Sequence, residues 1–341
     1  MASTPLKGDR VKSKLPSVSI VIPVVAVNDY IQESIPKILE LDWPDYEIIV
    51  IPDKPDRKHR WPKTKIIASG KVGPAEKRDM TLKYARGEIL AFLDDDAYPE
   101  PDWLRRAVKH FRRKKVAAVG GPAMTPADDD VLQKTSGAVF ESFLGAGGAR
   151  SRYLPIGKPR RIDDWPTVNF LVRFDAFAQL GGFDSSYWPG EDTKLCLDLI
   201  NAGYEIVYEP KAIVYHHRRS NLRKHFYQIG NYALHRGHFA RIYPETSRRL
   251  FYFVPLLFDL YLLGLIVQFS SSGFPLGLVL IPLLLYLVGV LVDGSVAVWR
   301  WRNPLLGILT PLMILLTHVW YGIRFGQGFL TRKLASQQFN D

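Results

Sequence analysis

A change of character near Leu250 constrains this chain more than any other feature. Three apolar stretches follow it: Leu250–Phe269, Phe274–Val292 and Pro304–Ile323. Each is about long enough to cross ~30 Å of hydrocarbon as a helix. Core helices of a soluble domain are the alternative, but the third stretch contains no Asp, Glu, Lys or Arg. Trp299-Arg300-Trp301-Arg302, between the second and third stretches, has the make-up of an interfacial clamp. Positive residues favour the cytoplasmic side. The basic approach to the first stretch and the Trp299–Arg302 loop are therefore expected inside, and the Ser270–Gly273 turn outside. Three full crossings would put Arg324, Arg332 and Lys333 outside, against that rule. The last stretch is accordingly expected to be re-entrant, or to be followed by an interfacial helix. Asp259 lies inside the first stretch, where an ionised carboxylate is costly without a partner; His318 is a candidate.

The residues before Leu250 mix charged and apolar side chains as a soluble domain does, so the overall 47% hydrophobic content averages two unlike regions. The opening MASTPLKGDRVKSKLP is polar and basic, and no secretory signal is expected in it. A single cysteine, Cys196, excludes an internal disulfide framework and fits a reducing compartment. The net charge of +11 admits nucleic acid, an acidic membrane surface or a phosphorylated substrate. Its distribution favours the membrane: Ala212 to Arg249 holds eight Lys/Arg and one acid, Glu245, directly before the apolar region. No nucleic-acid motif is present.

The soluble part alternates strand and helix patterns. Val18–Pro23 is a β-rich apolar run, followed by a helical pattern with Ile31, Ile35, Ile38 and Leu39 on one face. Glu47–Ile51 is a second run and ends in Pro52-Asp53; Lys65–Ala68 is a third, before a helix expected over about Ala75–Ala85. Ile89–Leu93 leads straight into Asp94-Asp95-Asp96. The pattern predicts an α/β domain with a largely parallel sheet, whose ligands bind at the carboxyl ends of strands. Asp53 and the aspartate triplet occupy such ends. The first strand is followed by no Gly-x-Gly-x-x-Gly, and no Gly-Lys-Ser/Thr phosphate loop occurs, which removes most of the support for dinucleotide and P-loop enzymes.

Three aspartates after a buried strand raise one another's pKa unless a cation relieves them. A hard divalent ion would do so and would bridge to a diphosphate; a solvated acidic turn is the plainer alternative. Trp188-Pro189-Gly190-Glu191-Asp192 is a second acidic site, before a helix with Leu195, Cys196, Leu199 and Ile200 on one face and Gly203 at its end. Asp192 is placed either to cap that helix or to take a proton from a hydroxyl. Asp129 and Asp130 read as surface charge.

Taken together and in order, Val18–Pro23, Asp53, Phe92–Pro99, Asn169–Arg173, Leu180–Asp184 and Glu191-Asp192 resemble the family-2 glycosyltransferases of GT-A fold, over about Pro16 to Gly237. The three apolar stretches, with the closing His318–Gly322, resemble a membrane-attached branch that builds surface glycans. The resemblance implies a GT-A (Rossmann-like, mostly parallel) domain at 16–215 after a tail at 1–15. It further implies basic interfacial helices at 216–249, transmembrane helices at 250–330 and a tail at 331–341. Pro23, Asp53, Arg78, Asp94 and Asp95 would serve the nucleotide-sugar donor. Asp96, with Asp94 and His216, would hold Mg2+ or Mn2+. Asp192 would be the general base, with Glu191 beside it shaping the acceptor site.

The chain departs from the family's processive members. Those carry Gln-x-x-Arg-Trp, whereas His225–Tyr232 here lacks the Arg-Trp pair. One transfer per encounter is therefore expected. Arg218, Arg219, Arg223 and Lys224 are expected to grip the phosphate of a lipid-linked, polyprenyl acceptor, or simply acidic headgroups. The Gly/Arg-rich stretch Gly145–Arg161 is expected either to close over the donor or to be an ordinary loop. The implied reaction is inverting, at the inner membrane, with the catalytic domain cytoplasmic; a homo-oligomer is left open. Two rival readings are a sugar-phosphate nucleotidyltransferase, distinguished by pyrophosphate release, and a catalytically silent scaffold, distinguished by the lack of metal-dependent donor hydrolysis.

Overall fold

The computed structural model describes residues 15–183, 186–270 and 276–334. Asp184 and the Ser271–Gly273 part of the expected turn lie outside the described residues. The chain begins with β1 (Val18–Pro23), α1 (Asp29–Leu39), β2 (Tyr46–Ile51) and β3 (Thr64–Ile66). The β1 and β2 side chains are buried on both sheet faces, which is why these strands read as continuous apolar runs. Asn28 starts α1 by accepting the Ile31 N–H at 2.9 Å, and Ile31, Ile35 and Ile38 are buried at helical spacing. The single helix expected over 75–85 is two short ones, α2 (Pro74–Asp79) and α3 (Thr81–Tyr84).

Next come β4 (Ile89–Leu93), β5 (Ala97–Pro99), α4 (Trp103–Val108), β6 (Val116–Gly120) and β7 (Ala123–Met124). They are followed by α5 (Val131–Glu141), α6 (Phe143–Ala146), β8 (Arg160–Ile162), β9 (Asn169–Arg173) and α7 (Phe174–Leu180). The domain continues with α8 (Glu191–Asn201), β10 (Glu205–Tyr208) and β11 (Val214–His216). The main sheet runs β3-β2-β1-β4-β9-β6-β10-β8. It is parallel from β3 to β4, as the sequence predicts, but β9 is inserted antiparallel between β4 and β6. A small sheet, β5-β11-β7, lies apart from it. On α8, Leu195, Cys196 and Leu199 are buried as expected, while Ile200 is exposed.

The region expected as interfacial helices differs from that reading. Its main helix, α9 (Leu222–Ile242), buries His225, Ile229, Ala233, Arg236 and Phe239, and only the short α10 (Pro244–Ser247) follows it. Three long apolar helices complete the described chain: α11 (Leu250–Ser270), α12 (Leu276–Trp301) and α13 (Leu306–Leu330). All three are long and apolar enough to cross a membrane. Because α12 continues to Trp301, all of the expected Trp299–Arg302 loop except Arg302 is its last turn. His318 is not the partner of Asp259. Its ring bonds the Tyr286 hydroxyl at 2.8 Å and the Leu144 carbonyl at 3.0 Å, whereas the Asp259 carboxyl lies against Gly322 without a hydrogen bond.

Helix α13 packs along α9 through glycines. A Cβ on Gly328 would run into the Leu234 carbonyl, and one on Gly237 into the backbone of Phe325 and Phe329. Overpacking of this kind costs about 1–3 kcal/mol when the neighbours are backbone and cannot yield. Gly328→Leu should lower the melting temperature of the detergent-solubilised protein, while Gly264→Leu, with open space around it, should leave it nearly unchanged.

Candidate active site

The parallel register of β1 with β4 aligns Val21 with Phe92, so the loops after both strands emerge at the same edge of the sheet. Pro23, Asp53 and the Asp94–Asp96 triplet are thereby gathered there. The small sheet then brings in a distant residue: β11 pairs antiparallel with β5, setting His216 opposite Ala97. His216 Nε2 lies 3.0 Å from Asp96 Oδ1 but makes no hydrogen bond. Asp94, Asp96 and His216 each offer a ligand atom, all within 4.8 Å of one another. A buried, unbonded ring nitrogen beside two carboxylates fits a divalent cation, whose charge would relieve the repulsion. Arg219 Nη1 lies 3.1 Å from Asp96 Oδ2. Burial works to raise the Asp96 carboxyl, but His216 and Arg219 outweigh it and hold it below the usual carboxylate range.

Asp95 has a different environment. It accepts a hydrogen bond from Asn28 Nδ2 at 2.6 Å, and burial, reinforced by Asp96, pushes its pKa up to about 6. Asp53 is paired with Lys77, a residue the sequence reading left without a role, whose Nζ also donates to the Val24 carbonyl at 2.5 Å. Arg78 occupies the centre. Its buried guanidinium reaches Asp94 Oδ1 at 2.9 Å and Glu191 Oε1 at 3.1 Å, joining the two acidic motifs. Glu191 accepts from the Gly190 N–H at 3.0 Å, and burial followed by the Asp192 charge raises it to about 7.

Asp192 is not the cap of α8: the cap position belongs to Gly190, and no side chain bonds there. Its Oδ1 accepts the Thr193 N–H at 2.7 Å, and its pKa is raised by burial and next by Asp164. Asp164, also unassigned from sequence, is a buried junction. It accepts from Arg152 at 2.8 Å, Arg236 at 2.5 Å and the Thr193 hydroxyl at 3.0 Å. The only hint of it in the sequence is its place five residues before Asn169, in Asp163-Asp164-Trp165.

The four basic residues expected to act together are divided. Arg218 is buried and bonds Thr125 Oγ1 at 3.1 Å, the Ala123 carbonyl and His216 Nδ1. Arg219 pairs with Asp96, leaving Arg223 and Lys224 exposed at the start of α9. Asp129 and Asp130 are not plain surface charge. Buried Asp129 binds His217 and the Arg218 N–H, and Asp130 forms a capping box with Gln133 on α5. Nor is the start of the Gly/Arg-rich stretch a free loop: Gly145 and Ala146 end α6, the Gly145 N–H donates to Ser142 Oγ at 2.8 Å, and a 3-10 turn over Gly147–Arg152 follows.

One cavity of about 1140 Å³ joins these parts. Asp94, Asp96, Asp192 and His216 line it at the sheet edge; Phe251, Val254, Pro255, Phe258 and Tyr286 line it among the apolar helices. Arg152, Arg236, Tyr232 and Tyr252 lie on its wall, as do Arg223 and Lys224.

Residues 19–180 match glycosyl transferase family 2. They are a family-2 glycosyltransferase domain. A "pre-mycofactocin glycosyltransferase" of Mycobacterium tuberculosis is 31% identical over 151 residues, 44% of this chain and 31% of the relative. The match thus spans about a third of that relative's length. A Methanococcus voltae relative is 22% identical over 92% of this chain and 97% of its own length. It is described as a dolichyl N-acetyl-alpha-D-glucosaminyl phosphate 3-beta-D-2,3-diacetamido-2,3-dideoxy-beta-D-glucuronosyltransferase. The fold also matches a mannosyltransferase from Pyrobaculum calidifontis, solved with GDP-Man and Mn2+, at a TM-score of 0.57 and 17% identity. The superposition covers 90% of this chain and 88% of that one. The family-2 domain is therefore of GT-A architecture.

Asp164 gives a pH test of the site. Its negative charge raises the Asp192 pKa, so less Asp192 is ionised at a given pH. In Asp164→Asn, the acid limb of the kcat/KM profile should move to lower pH. A uniform fall in activity with an unmoved limb would make Asp164 a purely structural residue.

Proposed function

We propose that the protein transfers one sugar, with inversion, from a nucleotide-sugar donor to a lipid-linked acceptor at a membrane. The observation that carries this reading is the cavity, which runs without interruption from the carboxylates to the apolar helices. A water-soluble acceptor would not need such a floor; a polyprenyl phosphate or diphosphate needs both an apolar channel and a reactive end near Asp192. The Methanococcus relative's name, with its dolichyl-linked acceptor, supports the same class.

Asp192 takes the proton of the acceptor hydroxyl as the oxygen forms its bond to the anomeric carbon from the face opposite the diphosphate. The bond from that carbon to the diphosphate oxygen breaks, and its electron pair leaves with the nucleoside diphosphate. A divalent cation on Asp94, Asp96 and His216 would offset the leaving charge when bound. An imidazole is a softer ligand than Mg2+ prefers, so the set suits Mn2+ somewhat better. Asp53, fixed by Lys77, and Pro23 serve the nucleotide, and Arg78 keeps Asp94 and Glu191 in register. Lacking the Arg-Trp of processive synthases, the protein releases its product after each transfer. The basic approach to α11 supports a catalytic domain on the cytoplasmic side of the inner membrane.

The reading is tested by sugar transfer to a polyprenyl-phosphate or polyprenyl-diphosphate-sugar acceptor from a panel of nucleotide sugars with Mn2+ or Mg2+. Asp192→Asn should depress kcat by at least ~10²-fold while calorimetry finds donor binding intact. Asp96→Asn should abolish the metal-dependent part of donor binding. Unchanged donor affinity in that variant would reduce the triplet to an acidic turn.

The acceptor is tested at the rim. With Arg218 and Arg219 held by the site itself, neutralising Arg223 and Lys224 together removes about 1 kcal/mol of attraction each at an anionic surface. Apparent KM for the lipid-linked acceptor should rise up to roughly thirty-fold, less at high salt, with donor KM unchanged. Equal losses with a short water-soluble acceptor would tell against the lipid.

A further inference from the structure

The third apolar helix has the length of a membrane crossing but not its position. Both feet of the α11–α12 hairpin are fastened to the catalytic domain. At the start of α11, Arg249 pairs with Asp163 at 2.5 Å; at the end of α12, Arg300 lies 2.9 Å from Glu141 on α5. Helix α13 runs from one foot to the other. Leu306 packs with Ala297 of α12 and Ala138 of α5, while Phe325 stacks edge-on against Phe253 near the start of α11. A crossing helix would separate its ends by ~30 Å of hydrocarbon. Here both ends lie at the level of the catalytic domain.

The middle of α13 lies there too. Thr317 bonds His225 at 3.1 Å, Trp320 Nε1 donates to the Phe226 carbonyl at 2.8 Å, and the Thr331 carbonyl bonds His238 at 3.0 Å. These pairs advance together along α9 and α13, so the two helices run side by side in the same direction. The faces of α13 are also unlike. Thr310, Ile314, Thr317, Phe325 and Gly328 are buried, while Ile308, Leu312, Leu316, Ile323 and Leu330 form an exposed apolar stripe at helical spacing. A third of its most apolar stretch is buried, against 6% for α11. A helix that is protein-covered along one face and apolar along the other suits the boundary of a bilayer rather than its interior.

We infer that α13 lies in the plane of the membrane on the catalytic-domain side, seated on the headgroup and upper acyl region of one leaflet. Only the α11–α12 hairpin enters the hydrocarbon. The arrangement returns the chain after Thr331 to the side of the catalytic domain. It thereby removes the conflict of three full crossings, since Arg324, Arg332 and Lys333 then join the other basic residues on one side. The inference rests on the membrane reading of these helices and is independent of the chemistry assigned to the site.

The test uses the full-length protein in sealed membrane vesicles of both orientations. Lys58→Cys marks the exposed catalytic domain and Lys333→Cys the chain beyond α13; the native Cys196 is buried and should stay silent. A membrane-impermeant maleimide should label both positions from the same face. Labelling from opposite faces, or protection of Lys333→Cys from both until detergent is added, overturns the inference. A second measurement uses nitroxides on Ile308→Cys, Leu316→Cys and Ile323→Cys, all on the exposed stripe. Their depths in the bilayer should agree to within about one helical turn, ~5 Å. A steady gradient of ~1.5 Å per residue along the helix would mean that α13 crosses. Loss of the protein from membranes on carbonate washing would reject the membrane reading itself, whatever the state of sugar transfer.

Discussion

The site is organised around one buried cation. Arg78 lies between a carboxylate from the end of β4 and one from the start of α8, residues 97 positions apart in Asp94 and Glu191, and neutralises part of the charge that each brings. Burying carboxylates costs several kcal/mol apiece unless they are paired, and removing one partner of such a cluster typically costs about 3–5 kcal/mol. The acidic edge can therefore be dense only because Arg78 on α2 and, on the far side, Arg219 share its charge, with the His216 ring at the end of β11 beside Asp96. The small sheet β5-β11-β7 has the same significance. By pairing β11 with the strand that follows the triplet, it delivers that second set of nitrogen groups to Asp96.

Two carboxylates side by side, Glu191 and Asp192, acquire different roles from different neighbours. Glu191 is tied to Arg78 and to the backbone of Gly190, so its orientation is spent on structure. Asp192 bonds only its own turn and faces the cavity, with Asp164 behind it. The proposed base must be ionised yet basic enough to accept a proton, and burial beside a second carboxylate moves Asp192 in that direction. The Asp164 charge is in turn offset by two arginines, which lets a second carboxylate stand so near the base without protonating.

What could be read from the sequence follows from how local each signal is. Strands β1, β2 and β4 were legible because strands buried on both faces leave unbroken apolar runs, and the triplet after β4 was legible because strand ends carry ligands. The position of His216 depends on the pairing of β11 with β5, and it was reached only through resemblance to a family. Lys77, Asp164 and Arg236 were missed because each acts through a partner far along the chain: Asp164 meets Arg236 across 72 positions. A charge run also misleads when its members turn to different sides. In Arg218, Arg219, Arg223 and Lys224, the irregular segment between β11 and α9 sends neighbouring side chains to different sides, so one is buried, one meets Asp96 and two remain at the rim. For α13, length and apolarity alone would allow a crossing, since composition does not measure what covers a face, and only the basic residues around its end spoke against one.

Helix α9 connects these observations. One of its faces carries Arg236 to Asp164, and through Thr193 to the turn that bears Asp192; another holds α13 through close glycine contacts. Arg236 also lies 5.1 Å from the Tyr252 ring at the start of α11 and 3.3 Å from Ser247 in the connection between the helices. Any displacement of the apolar helices that moves α9 must also move Arg236, and a buried guanidinium cannot leave its carboxylate without stranding both charges. The geometry around the base is thus fastened to the same helix that fixes the apolar floor of the cavity. An acceptor lying along that floor would meet a base whose position is set by the floor itself, so the distance from apolar anchor to reactive hydroxyl is fixed by one rigid element rather than by a flexible linker.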